Sequence, residues 1–207
     1  MPERGTGVPN ISPLLQKGAI QVLEPNTGIP LNTIHLQYNP ESIKRHLQPQ
    51  SVGDQPDRTE VLRLKGPPIE TISCDVEIDA TDQLAASNPT TLSLGIQPQL
   101  AVLELLVYPS SAILIANEVL SLIGTIEILP MSSNLTLFVW GPNRVTPVRL
   151  TSIEITEEAF DPRLNPIRAK VSLSMRVLNV NDVGFLTPAG ALYMAYQISK
   201  EGLASKA

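Results

Sequence analysis

The sequence predicts a mainly β domain with one or two covering α-helices, and three observations predict it. Hydrophobic residues make up 43% of the 207-residue chain but aromatics only 4%, so Val, Ile and Leu fill most apolar positions, a composition suited to pleated surfaces. Two long segments alternate apolar and polar residues with the period of a half-buried strand. A chain of this length also buries one substantial core without needing disulfides or metals to fold.

The elements follow in order. Residues 1–14, containing MPERGTGVPN, carry Pro and Gly where a signal peptide needs a continuous apolar region, and read as a flexible N-terminal arm. Residues 15–182 form the β domain and residues 183–207 a C-terminal helical tail. AIQVLEP and NTIHLQY flank the turn residues PNTG, which predicts a β-hairpin. In NPES, Asn39 is a cap and Pro40 a first helical position, which predicts a single helical turn. His46 to Arg58 is polar and broken by Pro and Gly, and reads as a long loop.

In ETISCDVEIDA, Ile72, Cys74, Val76 and Ile78 alternate with Ser73, Asp75, Glu77 and Asp79, so one face is buried and the other wet. Leu100, Leu103 and Val107 recur at helical spacing after Pro98, predicting an amphipathic helix that covers the sheet. SSAILIANEVLSLIG fits a second helix ending at Gly124 or a pair of strands. NLTLFVWG and RLTSIEITEEAF supply strands around the turn GPNR. PIRAKVSLSMRV repeats the strict alternation with Arg168, Lys170 and Arg176 on its polar face, opposite in sign to Asp75, Glu77 and Asp79. Thr187 as cap, Pro188 in the first turn, and Leu192, Ala195 and Tyr196 at helical spacing predict a final helix.

Chemistry is sparse. There are two histidines and one cysteine, too few for a His–Cys metal or nucleophile site, and no phosphate loop, dinucleotide fingerprint or nucleophile elbow occurs. His35 reads as a structural histidine in its strand and His46 as a solvated loop residue. Cys74 reads as a small core hydrophobe, and Asp75, Glu77, Asp79 and Asp82 as a solvent face plus a neighbour. The chain is expected to be no enzyme, with no catalytic residue, cofactor or metal. Net charge is −5 without a basic run, which argues against nucleic acid as a partner. The most apolar stretch, Leu100 to Leu129, is broken by Glu104, Pro109, Glu118 and Gly124, so no membrane insertion is expected. A single cysteine fits assembly in the cytoplasm. Trp140 serves as a core or interface anchor.

Three ordered segments carry a resemblance. QYNPESI after an early strand, LTLFVWG, and RLTSIEITEEAFDPRLNPIRAKVSLSMRV resemble the tube and hub-adaptor proteins of contractile, phage-tail-like injection systems. Two departures stand beside it: there is no C-terminal LysM module in this sequence, and Asn165 occupies a turn position where many members carry Gly. The resemblance implies a β-barrel-like core that assembles as a hexameric homo-oligomeric ring, an adaptor or tube initiator at the baseplate that links the spike hub protein to the inner-tube protein. An inner-tube or tube-capping subunit is the alternative in the same class, and a cell-wall glycan-binding module using Trp140 and Tyr108 the alternative outside it. Subunit-interface residues expected on this reading are Asn39, Pro40 and Glu41 at a presented turn, Trp140 and Gly141 at a strand exit, and Arg168 and Lys170 on an assembled surface.

Overall fold

The fold is described from a computed structural model, which describes residues 16–51, 63–122 and 134–207. Strands β1 (Ala19–Leu23), β2 (Pro30–His35), β3 (Ile43–Gln48) and β4 (Ile69–Asp79) come first. Helices α1 (Thr81–Ala85), α2 (Pro89–Leu94), α3 (Gln97–Glu104) and α4 (Ser111–Leu122) follow. Strands β5 (Leu135–Val139), β6 (Val145–Phe160) and β7 (Pro166–Val177) precede α5 (Val180–Val183) and α6 (Pro188–Ala204). The expected arm and the segments 52–62 and 123–133, with Gly124, lie outside the described residues.

All seven strands join one antiparallel sheet in the order β2-β1-β5-β6-β7-β4-β3, so the chain is mainly β as its composition predicts. The alternation does the sorting. Ile72, Cys74, Val76 and Ile78 of β4 and Ala169, Val171, Leu173 and Met175 of β7 are all buried, and they meet Ile20, Phe138 and Val148 from the other half of the sheet in one cluster with Leu100 and Leu103 of α3 and Tyr193 of α6. Strands four positions apart, β1 and β4, can share a core only if the sheet rolls up, and the register shifts within β6 sharpen that coil.

The roll is closed at one corner by a side chain rather than a ladder. Just past β2, the Gln37 amide donates to the Asp79 carbonyl at 2.6 Å and accepts from the Asp79 N–H at 3.0 Å. Gln37 thereby imitates one residue of a neighbouring strand on the free edge of β4. No ladder joins β2 to β3 among the described residues, so the sheet is open and keeps two edges. A smaller cluster, Leu23, Leu135, Leu137 and Ala189, fills the reverse side of β1 and β5 beneath the start of α6. That helix begins as its sequence signals, with the Thr187 hydroxyl accepting from the Gly190 N–H.

Several expectations need correction. His46 is not in a loop, because Ile43–Gln48 forms β3 and pairs with β4 in register His46↔Thr71. Beyond it, Ser51 bridges Leu64 and most of the expected 46–58 loop lies outside the described residues. NPES makes no helical turn, since Asn39 spends its side chain elsewhere, as shown below. Helix α3 stops at Glu104, leaving Val107 exposed. Ser111–Leu122 resolves as helix α4 rather than a strand pair. Among the described residues the helical segments number six, more than expected because α1, α2 and α5 are too short to show periodicity. Asp79 is buried rather than on a wet face, covered by the Gln37 clamp and by Arg168. His35 ends β2 on the surface.

Candidate assembly surface

The expected interface residues gather around the corner that Gln37 closes. Asn39 is the organiser: its Oδ1 accepts from the Gly18 N–H at 2.9 Å and its Nδ2 donates to the Gln16 carbonyl at 2.9 Å. This fastens the chain entering β1 to the chain leaving β2. Gly18 is required there, because a Cβ at that position would stand 2.6 Å from the Trp140 ring. Trp140 lies over Gly18, and its ring stacks on the buried Phe138 with centroids 6.1 Å apart and planes 10° apart. Gly141 then turns the chain with φ +73, a conformation that favours glycine, and the Trp140 N–H donates to the Arg144 carbonyl to start β6.

Pro40 and Glu41 run from this knot towards β3 along a groove of about 310 Å³, whose far wall is Asp75, Glu77 and Lys170 on the outer face of β4 and β7. The structure thus brings Asn39, Pro40, Glu41 and Lys170 to one groove, with Trp140 and Gly141 behind Asn39. Arg168 sits one pair further along. Its Nε donates to Asp79 Oδ2 at 2.7 Å, and Lys170 Nζ lies 3.8 Å from Asp75 Oδ2. Both cations remain about half exposed, at 48% and 53%.

The opposite signs noticed on the two alternating segments therefore meet as antiparallel neighbours, Asp79↔Arg168 and Glu77↔Lys170. Hydrogen bonds from the Thr81 backbone and side chain, then from Arg168, hold the Asp79 carboxyl below its ordinary range. A bond from the Ser172 hydroxyl at 2.7 Å, followed by Lys170 and Lys44, does the same for Asp75. Arg168 and Lys170 are pairing partners within the chain and still present half their surface outward.

The sheet edges complete the surface. Strand β2 is exposed along Pro30–Thr33, with Leu31 56% exposed, and β3 is exposed from Lys44 to Gln48. Beside β2, a cavity of about 650 Å³ opens between Val22, Leu31 and Ile34 on one side and Leu106, Val107 and Tyr108 on the other. Beyond it α4 buries no residue, although Ile115, Val119 and Leu122 are apolar and at least half exposed.

Among the described residues no group of three His, Cys, Asp or Glu is placed to hold a metal. Burial, with Asp75 second, pushes the Cys74 thiol up to about 11, so it stays protonated and unreactive. Trp140 is packed against Phe138 and Gly18 rather than offered as a stacking platform. Among the described residues no helix is long and apolar enough to cross a membrane.

Sequence reasoning missed Gln37, whose role depends on the roll of the sheet and leaves no local trace. Gly18 and Asn39 carried a readable signal, a small residue and an Asx at the two strand boundaries.

No protein-family model matches the chain, and no curated protein matches its sequence. Among solved structures, a chain from the tail of an empty GTA particle, computed with helical refinement and C6 symmetry, is similar over 77% of this chain and 90% of that one, at 12% identity and a TM-score of 0.30. A superposition at that score is too loose to carry a fold or a role across.

Proposed function

We propose that this chain is a non-enzymatic structural subunit of a phage-tail-like particle. It assembles as a sixfold ring at the baseplate and acts there as an adaptor or tube initiator between the spike hub and the inner tube. The observation that supports it best is the open, rolled sheet, whose two edges carry backbone donors and acceptors that no strand among the described residues pairs. Unprotected edges invite pairing with another chain. Joining the β2 edge of one copy to the β3 edge of the next is a head-to-tail contact, which closes into a ring when the rotation per step divides the circle.

The mechanism on this reading is mechanical. Each copy contributes a stiff sheet, the Asn39–Trp140 knot and the groove beside Lys170 sit at the junctions, and ring continuity transmits force between spike and tube. Exposed apolar residues on α4 and β2 would be covered by neighbouring subunits, as obligate interfaces that bury more than about 2,000 Å² do. A subunit of the inner tube or its cap is the alternative in the same class, and stoichiometry separates the two. One ring per particle supports the adaptor, and a many-fold excess the tube.

Negative-stain imaging and native mass spectrometry of the purified protein test the proposal. Sixfold rings are expected, and a monomer at every concentration, alone and with hub and tube partners, would overturn it.

A further inference from the structure

The free edge strand β3 is tied to the C-terminal helix by one buried carboxylate. Glu70 on β4 is only 3% exposed. Its Oε1 accepts from Arg45 Nε at 2.8 Å and Nη2 at 2.6 Å, and from the Tyr196 hydroxyl at 3.3 Å. Arg45 Nη2 also donates to the Tyr196 oxygen at 3.0 Å. Lys200 lies one helical turn further, its Nζ 3.8 Å from Glu70 Oε2 and 4.2 Å above the Tyr196 ring centroid. Three elements thus meet on one side chain: Arg45 from β3, Glu70 from β4, and Tyr196 with Lys200 from α6.

We propose that α6 is a latch on the β3 edge, closed through Glu70, so that the last turns of the helix and the edge strand are released together. Two cations share one carboxylate here. Without that charge, Arg45 and Lys200 face each other in a partly buried site, where uncompensated charge is strongly unfavourable. They separate by moving apart, Lys200 with α6 and Arg45 with β3. Among the described residues strand β3 is bonded on one side only, and its five residues from Lys44 onward are exposed. The last turns of α6, from Gln197 on, bury no residue.

On the proposed function, β3 is one of the two edges that neighbouring copies join, so the latch makes the C-terminal helix a control on whether that edge is presented flat. Phe185 and Leu186, exposed ahead of α6, would let a partner engage the helix from its other end.

Hydrogen exchange on the full chain tests the coupling without requiring assembly. In Glu70→Gln, amides of Ile43–Gln48 and of residues 196–204 are expected to exchange about tenfold faster and in step, while those of β1 and β5 keep their rates. Tyr196→Phe removes one hydroxyl while keeping the ring, and serves if Glu70→Gln unfolds. It is expected to raise both regions together by about threefold. A rise in one region without the other, or no rise in either, overturns the latch. Ring yield is read separately: coupled exchange without rings upholds the latch and sinks the assembly reading, and rings without coupled exchange do the reverse.

Discussion

Strands β4 and β7 pair opposite charges within the chain, whereas β2 and α4 turn apolar residues outward. On the first side, opposite charges fall into register across β4 and β7, Ser172 bonds Asp75 and the Thr151 hydroxyl bonds the Ser174 carbonyl. The inward residues are almost completely buried. On the second side, an uncharged edge strand lies next to an apolar cavity and a helix whose apolar residues face water. On the proposed function the first side is a finished domain and the second an interface, with the corner built by Gln37, Asn39 and Trp140 between them.

The largest expected effect contrasts the halves directly. Phe138 is wholly buried, and Phe138→Ala should cost about 3–5 kcal/mol in denaturant unfolding. Leu122 on α4 is 76% exposed, and Leu122→Ala should change stability of the unassembled chain by less than about 0.5 kcal/mol. Similar costs at the two sites would erase the distinction.

Next comes the corner. Gln37→Ala strips both partners from the Asp79 backbone and should cost about 1–3 kcal/mol, with faster exchange at the Asp79 amide. An unchanged midpoint would mean that the roll of the sheet holds itself.

A smaller effect belongs to pH. The Asp79 carboxyl is held below its ordinary value, so its folded form favours the charged state. The stability it contributes is complete above the unfolded value of about 3.9 and is lost as pH falls through the folded value. Asp75, Asp161 and Glu24 are shifted in the same direction. Wild-type stability should therefore fall from about pH 4 downward, and Asp79→Asn should fall less steeply over the same window. Parallel curves for the two proteins would remove Asp79 from the account.

These contrasts also explain what could be read from the sequence. Strands β4 and β7 declared themselves because each has one wet and one dry face, and α6 because Thr187 and Pro188 announce its start. Strand β3 did not, since Lys44, Arg45, His46 and Gln48 sit on an exposed edge and erase the alternation that a buried face would impose. Helix α2 was missed although Asn88 caps it and Pro89 opens it, because six residues show no period. Asn39, Trp140 and Gly141, expected at an interface, were legible as punctuation between strands. Gln37 and Glu70 were not, because their partners stand 42 and 126 positions away and only the folded chain brings them together.

The central claim is that the open edges are completed by further copies. Its most direct measurement is the native mass of the wild-type chain beside Leu31→Lys, which places a charge on the exposed edge of β2 without touching the core. The account predicts a sixfold species for the wild type and, for the variant, a monomer whose circular dichroism shows the same fold. Identical masses for the two proteins would contradict it.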